Sequence, residues 1–407
     1  MSLRRHPSGT RHLRVEPALH AVGHRRGSAA IPGREHSVPC FWPLAAAIEL
    51  GEAGFRLLDE NLRFITEVAK VEYVLEPEWA TANRIRRDLD TMLLRDFSTQ
   101  AGAGSAAPVL VAAPHAGHAA TITDFDKGQS LVATLRAAGL DQVLVTDWKA
   151  ATESMKHYDI DKYLAEINVA VDDLGGSVHL VGLCQGGWMC AMYAARFPRK
   201  VRTLVLAGAP IDTDAGDGAI RAMAHALPMR FFENLVRLGN GRMLGTIMLA
   251  GWKSMHPDRQ YVDKYLDLYR HIDDRNYVRR TEAFERWYES PVDLPGAYYL
   301  QALEQLFKEN RLANGTYVAL GRKLDLHDIA VPLYLLAGAA DDITPREQVF
   351  RSEALVGTPK RDIASAVAPG GHIGLFMGRP ALTDAWPAVG RWIRDHDAAA
   401  GRRDGPA

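Results

Sequence analysis

The segment Val178-His179-Leu180-Val181-Gly182-Leu183-Cys184-Gln185-Gly186-Gly187 constrains this chain more than any other stretch. It begins as an apolar strand and passes at once into a helical pattern, Trp188 to Phe197. A strand that turns directly into a helix, with glycines on both sides of one reactive side chain, has the geometry of a nucleophile elbow, here with Cys in place of Ser. The glycines are needed because the turn is tight and a Cβ would clash where helix and strand pack closely. The thiol then sits at a helix N-terminus, where the dipole favours thiolate. Backbone N–H groups of Gln185 and of a neighbouring loop can hold a developing oxyanion. A lone strand cysteine is otherwise a small core hydrophobe, but the elbow context favours the chemical reading. No G-x-S-x-G occurs in the chain to compete for the role.

Around this segment the sequence alternates. Short apolar runs at Val109–Ala112, Gln142–Thr146, Val178–Gly182, Thr203–Leu206 and Leu333–Leu336 predict strands. Helical patterns fall at Lys127–Ala138, Asp161–Leu174, Gln185–Phe197 and Ala381–Asp395. Strands apolar on both faces and separated by helices predict a mostly parallel sheet covered on both sides, an α/β fold. The alternation breaks between Ile211 and Leu324. That stretch is dense in Trp, Tyr, Phe and Met and reads as helices at Gly218–His225, Pro257–His271, Tyr277–Glu289 and Gly296–Glu309. It is expected to be a cap closing over the carboxyl ends of the strands, with Trp252, Tyr265, Tyr269, Trp287 and Tyr299 shielding the thiol from water. Upstream, the apolar spacing of Leu44, Ile48, Phe55, Leu58, Leu62, Ile65 and Val68 predicts one helix and Ala80–Leu94 a second. The resulting division is a basic arm (1–36), an N-terminal helical segment (37–104), two halves of the core (105–212 and 325–398) around the cap (213–324), and a tail (399–407).

Composition excludes several classes. Among 407 residues, 48 Lys and Arg stand against 49 Asp and Glu, so there is no global excess of positive charge to neutralise nucleic-acid phosphates. Residues 1–36 carry seven arginines against two glutamates, with no apolar periodicity, and read as a disordered arm. Cys40, Cys184 and Cys190 are too few for a disulfide framework, which points to a reducing, cytoplasmic setting, and they lack zinc-ligand spacing. No apolar stretch approaches the roughly 18 residues of a membrane helix. Gly239-Asn240-Gly241-Arg242-Met243-Leu244-Gly245 departs from G-x-G-x-x-G and follows helical sequence, so a phosphate loop is not expected there.

An elbow nucleophile needs a base, and the base an orienting carboxylate, in chain order nucleophile, acid, His. Gly338-Ala339-Ala340-Asp341-Asp342-Ile343-Thr344-Pro345 follows a predicted strand and offers Asp341, with Asp342 as the fallback. Adjacent aspartates are also simple turn formers. Ala368-Pro369-Gly370-Gly371-His372-Ile373-Gly374 places His372 in a glycine-rich loop before the last helix, as general base. The loop Pro114-His115-Ala116-Gly117-His118 is the candidate for the rest of the oxyanion site together with Gln185. Its His115 and His118 either touch substrate or are solvated loop histidines, and as an HxxH pair they lack a third metal ligand. No metal or organic prosthetic group is implied, since a nucleophile, base and acid with backbone donors suffice for acyl transfer.

At these residues the chain resembles the cysteine α/β-hydrolases that comprise polyhydroxyalkanoate synthases and intracellular polyhydroxyalkanoate depolymerases, over roughly residues 105–395. Gly182-Leu183-Cys184-Gln185-Gly186-Gly187, Ser130-Leu131-Val132, Asp147-Trp148 and Pro369–Gly374 are similar to the short synthases that work with a second subunit. Pro114–Thr121 is similar to the depolymerases, whose cysteine box has proline in place of Gly-Gly after the Gln. Lys127-Gly128 and Phe284-Glu285-Arg286-Trp287 resemble uncharacterised relatives of both. The resemblance implies Cys184, Asp341 and His372 as nucleophile, acid and base. It also implies a 3-hydroxyacyl-coenzyme A or polymer substrate, a second subunit or homodimer, and association with polymer granules. Exchange of a coenzyme A thioester onto a Cys conserves a thioester, whereas Cys attack on a polymer oxyester runs uphill, so the chemistry favours synthesis. Depolymerisation, general ester hydrolysis and a non-catalytic granule-binding role are the alternatives.

Overall fold

The computed structural model describes residues 77–99, 106–255 and 274–403, all within one compact unit, Pro39–Ala407. Eight strands form the central sheet: β1 (Arg84–Asp88), β2 (Met92–Asp96), β3 (Val109–Ala112), β4 (Val143–Trp148), β5 (Val178–Leu183), β6 (Val201–Ala207), β7 (Leu333–Gly338) and β8 (Ile363–Ala368). Their order is β1-β2-β4-β3-β5-β6-β7-β8. Only β2 runs against the rest, pairing antiparallel with both β1 and β4. Every residue of β3, β5 and β7 is buried. Such strands need apolar side chains on both faces because helices cover both faces.

Those helices are α1 (Leu131–Ala137), α2 (Ile160–Asp173), α3 (Gln185–Arg196) and, after β8, the short α9 (His372–Met377) and the long α10 (Trp386–Arg403). Local chemistry sets their starts. Ser130 Oγ accepts from the N–H of Ala133 and an Asp159 carboxylate oxygen from that of Lys162, satisfying amides that have no partner within the helix. Between β6 and β7 the chain leaves the sheet for the cap helices α4 (Ala219–Ala226), α5 (Met229–Leu238), α6 (Gly245–Met255), α7 (Arg275–Tyr288) and α8 (Gly296–Gln301). The expected helix at Pro257–His271, with Tyr265 and Tyr269, lies outside the described residues, as do the helix at 43–70, the arm and Cys40.

Three expectations need correction. Ala80–Leu94 is not a helix: it holds β1 and most of β2, joined by a turn in which Leu89 N–H donates to Met92 O. In β2 the alternation Met92, Leu94, Asp96 puts every second residue in the core. In β1 every residue is exposed. An edge strand of arginines carries no apolar alternation, so its pairing is held by β2 and by cross-strand contacts such as Arg84 with Asp96 at 2.8 Å. Lys127–Ala138 is helical only from Leu131, because Gly128 (φ 79°) turns a small hairpin, Asp124–Asp126 with Gln129–Ser130. Gly296–Glu309 is α8 followed by a wider π-helical turn, Ala302–Lys308. Helix α6 and strand β8 were not expected, and α5 only as unbounded helical sequence ahead of Gly239.

Gly239–Gly245 closes on its own backbone. A Cβ at Gly239 would lie 2.2 Å from Arg242 O, and Asp293 takes the Gly245 N–H at 2.9 Å and Arg242 Nη1 at 3.1 Å. That leaves a short two-stranded corner, Arg242–Met243 with Leu294–Pro295, where a phosphate cradle would need open amides. Among the described residues no helix is long and apolar enough to cross a membrane.

Candidate active site

Cys184 stands between β5 and α3 with φ 50° and ψ −118°, a backbone conformation that costs a non-glycine residue energy and is kept only where the surroundings enforce it. The surroundings are tight on three sides. A Cβ at Gly182 would meet Gly187 Cα at 2.5 Å, one at Gly186 would meet Ala112 O at 2.1 Å, and one at Gly187 would meet the Ala209 Cβ at 2.3 Å. The three glycines of the box thus let α3 start against the ends of β3, β5 and β6. The Cys184 N–H is spent on Ala207 O (2.9 Å), and the Cys184 carbonyl accepts from the Gly187 N–H (2.9 Å). The side chain is left at the top of the sheet, 6% exposed under the cap.

The loops after β7 and β8 meet beside it. Ala340 N–H donates to Gly370 O at 3.0 Å, which ties the two loops together. His372 Nδ1–H donates to Asp341 Oδ2 at 2.8 Å. The other oxygen, Oδ1, accepts the N–H groups of Thr344 (2.8 Å) and Ile343 (3.1 Å), so the carboxylate is fixed from both ends. Asp342 is exposed, and Asp341 is the one that meets the histidine. Burial pulls the His372 pKa down, but the charges of Cys184 and Asp341 and hydrogen bonds to both outweigh it and hold the imidazole well above its ordinary value. Cys184, His372 and Asp341 are therefore in one connected line, in the chain order read from the sequence.

The loop after β3 is arranged differently from expectation. His115 is 1% exposed and so is not a solvated loop histidine. Its Nε2 bonds the Tyr163 hydroxyl at 3.0 Å, and its ring packs among Trp148, Tyr163 and Tyr298. Burial pushes its pKa down to about 3, which keeps it neutral. His118 lies across Trp287 and Tyr288, at ring distances of 4.8 and 5.0 Å, with its pKa pushed down to about 4 by burial. Both rings are thus packed between sheet and cap, while Pro114, Ala116, His118 and Ala119 stay partly exposed. Gly117 (φ 89°) has the side chain of Met248 against it. The loop's backbone is what remains available to the site.

Gln185, the residue after the cysteine, accepts the Tyr298 hydroxyl on Oε1 at 3.2 Å. Sequence reasoning passed over Tyr298 and Tyr163. Among the cap aromatics it chose Tyr299, the neighbour of Tyr298, since helical spacing alone does not say which of two adjacent tyrosines faces inward.

A mostly parallel eight-stranded sheet with a single antiparallel strand at the second position, an elbow after β5, an acid after β7 and a histidine after β8 define a protein of the α/β-hydrolase fold. Within that class, the chain belongs to the family described as "Protein of unknown function (DUF3141)", which it matches over residues 92–366. It is also similar to curated proteins. It is 30% identical to a poly(3-hydroxyalkanoate) polymerase subunit PhaC of Haloferax mediterranei, over 67% of this chain and only 56% of that one. It is 27% identical to the PhaC subunit of Allochromatium vinosum, over 84% of this chain and 94% of that one. Among solved structures, a monoacylglycerol lipase of Paleococcus ferrophilus aligns over 75% of this chain and 99% of its own, with 17% identity and a TM-score of 0.46.

Proposed function

We propose that this enzyme makes polyhydroxyalkanoate by acyl transfer through Cys184, taking 3-hydroxyacyl groups from coenzyme A thioesters. The observation that carries the reading is the line Cys184, His372, Asp341 at a glycine-lined elbow. Similarity to polymerase subunits supports the substrate class.

The chemistry follows from the side chains. His372, whose protonated form is favoured by its neighbours, can hold the Cys184 proton while the sulfur reacts. The sulfur attacks the thioester carbonyl, and the tetrahedral oxyanion is received by backbone N–H groups of Gln185 and of the loop after β3. When the C–S bond to coenzyme A breaks, the His372 proton goes to the departing thiolate. The acyl group is now a thioester on Cys184, at little cost in bond energy. His372, neutral at this point, accepts the proton of an incoming 3-hydroxyl as its oxygen attacks that thioester. Cys184 leaves as thiolate, one ester bond has formed, and His372 again carries the proton. Asp341 keeps Nδ1–H in place throughout, so that Nε2 faces the reacting atoms.

The test is incubation of the purified protein, and of Cys184→Ala, with 3-hydroxybutyryl-coenzyme A, following free thiol and insoluble polymer together. Thiol release accompanied by polymer, both lost in the variant, is expected. Release without polymer would replace polymerisation by hydrolysis. Equal release by protein and variant would remove Cys184 from the reaction.

A further inference from the structure

The loop after β3 is bonded to the core at its start. There, Ala113 N–H donates to Thr146 Oγ1 (3.1 Å) and Ala113 O accepts from Trp148 Nε1–H (2.8 Å). Beyond that point its carbonyls turn to the cap. Ala116 O accepts the indole N–H of Trp252 on α6 (3.3 Å), and Gly117 O accepts the Val292 N–H (2.8 Å). Ala119 O accepts the indole N–H of Trp287 on α7 (3.1 Å). On the other side of Cys184, the first residue of α3 is held in the same way, since Gln185 Oε1 accepts from Tyr298 of α8. Helix α8 is itself fixed: Tyr298 N–H donates to Tyr158 O (3.1 Å), and Gln301 Oε1 accepts the Ile160 N–H (2.9 Å). These two backbone elements approach each other so closely that Gly186 admits no Cβ against Ala112 and Ala113.

We propose that Trp252, Trp287 and Tyr298 are positioning residues through which the cap sets the loop after β3 and braces Gln185 at the first turn of α3, the two halves of an oxyanion site. The physical argument is one of direction. Within a planar trans peptide the carbonyl and the following N–H point oppositely, so donors that draw three carbonyls toward the cap also fix the direction of the amides that follow them. An oxyanion site works only if its donors are aimed before charge develops, and a misplacement of about 1 Å can cost up to ~100-fold in rate. A cap tied to the loop in this way makes enclosure of the acyl group and readiness of the oxyanion site a single condition. The inference rests on reading Cys184 as an acyl acceptor, and not on the identity of the acyl group.

The experiment compares two reactions of the same thiol in the full chain. Acylation by p-nitrophenyl butyrate passes through an oxyanion, whereas alkylation by iodoacetamide displaces iodide at carbon and forms none. Both are read at Cys184, the first as a burst of p-nitrophenolate and the second by intact mass. In Tyr298→Phe, which removes only an oxygen, and in Trp252→Phe, acylation is expected to slow about tenfold while alkylation stays within about twofold of the parent, because the thiol itself is unchanged. Parallel loss of both rates would assign these residues to packing alone and overturn the proposal. Unchanged acylation, or a parent protein that alkylates yet does not acylate, would overturn it too. If Cys184 acylates as described but coenzyme A thioesters are not turned over, the proposed substrate is wrong and the positioning role stands.

Discussion

Two cysteines six positions apart occupy opposite settings. Cys190 lies inside α3, fully buried, and burial raises its thiol pKa far above the ordinary range. Cys184 shares a hydrogen bond with His372, whose pKa its neighbours hold well above the ordinary value. Thiolate is the reactive form, so iodoacetamide at neutral pH should label Cys184 faster than Cys190, by roughly tenfold or more. Peptide mapping against time checks this, and comparable labelling of the two would speak against a paired thiol. Cys184 and Asp341 were legible in the sequence because each follows a readable strand, and His372 because it stands in a glycine-rich loop before the last helix in the expected chain order. Tyr298 and Tyr163 were not, because their roles arise from the packing of elements far apart in the chain. The same holds for His115, whose loop suggested solvent contact before the cap was known to cover it.

At the scale of elements, the fold depends on how closely α3 can start against the sheet. Gly186→Ala places a methyl 2.1 Å from Ala112 O, where only backbone can give way. Overpacking of this kind is expected to cost about 2–3 kcal/mol or more. Gly251, in α6, has nothing within 4 Å of its Cβ position. Gly251→Ala should therefore stabilise by ~0.5–1 kcal/mol through helix propensity. Thermal unfolding of the two variants beside the parent checks both signs; a neutral Gly186→Ala would mean that the elbow has room it is not expected to have. The buried strands were readable because apolar character on both faces has one structural solution. The β1–β2 hairpin was misread because Arg84–Asp88 has no buried face to impose a period of two, and the chain around it satisfies a helical count equally well. Strand β8, half-exposed at the other sheet edge, escaped for the same reason.

Across the whole molecule, buried histidines of two kinds give stability a maximum near neutral pH. His115, His118 and His179 have pKa values pushed down to about 3, 4 and 4 by burial, in the last case against the pull of Asp397. In the unfolded chain each takes up a proton near pH 6.5. The unfolded state therefore binds more protons as pH falls from about 6.5 toward 4, and stability must fall with it. His372 has the opposite sign. Its raised pKa contributes stability that is fully present below about 6.5 and is lost as pH rises through the folded value. The carboxylates held below their usual range, such as Asp96 and Asp173, add acid sensitivity only below about pH 4, so they do not mask the histidine limb. His179 is the cleanest probe, since it bonds Thr203 Oγ1 (2.8 Å) and Asp397 Oδ1 (3.2 Å) away from Cys184. In melting curves from pH 4.5 to 9, His179→Gln should flatten the acid limb by about one proton's share and His372→Gln should flatten the alkaline limb. An acid limb as steep in His179→Gln as in the parent would mean that His179 is protonated in the folded state, with Asp397 and not burial deciding its charge.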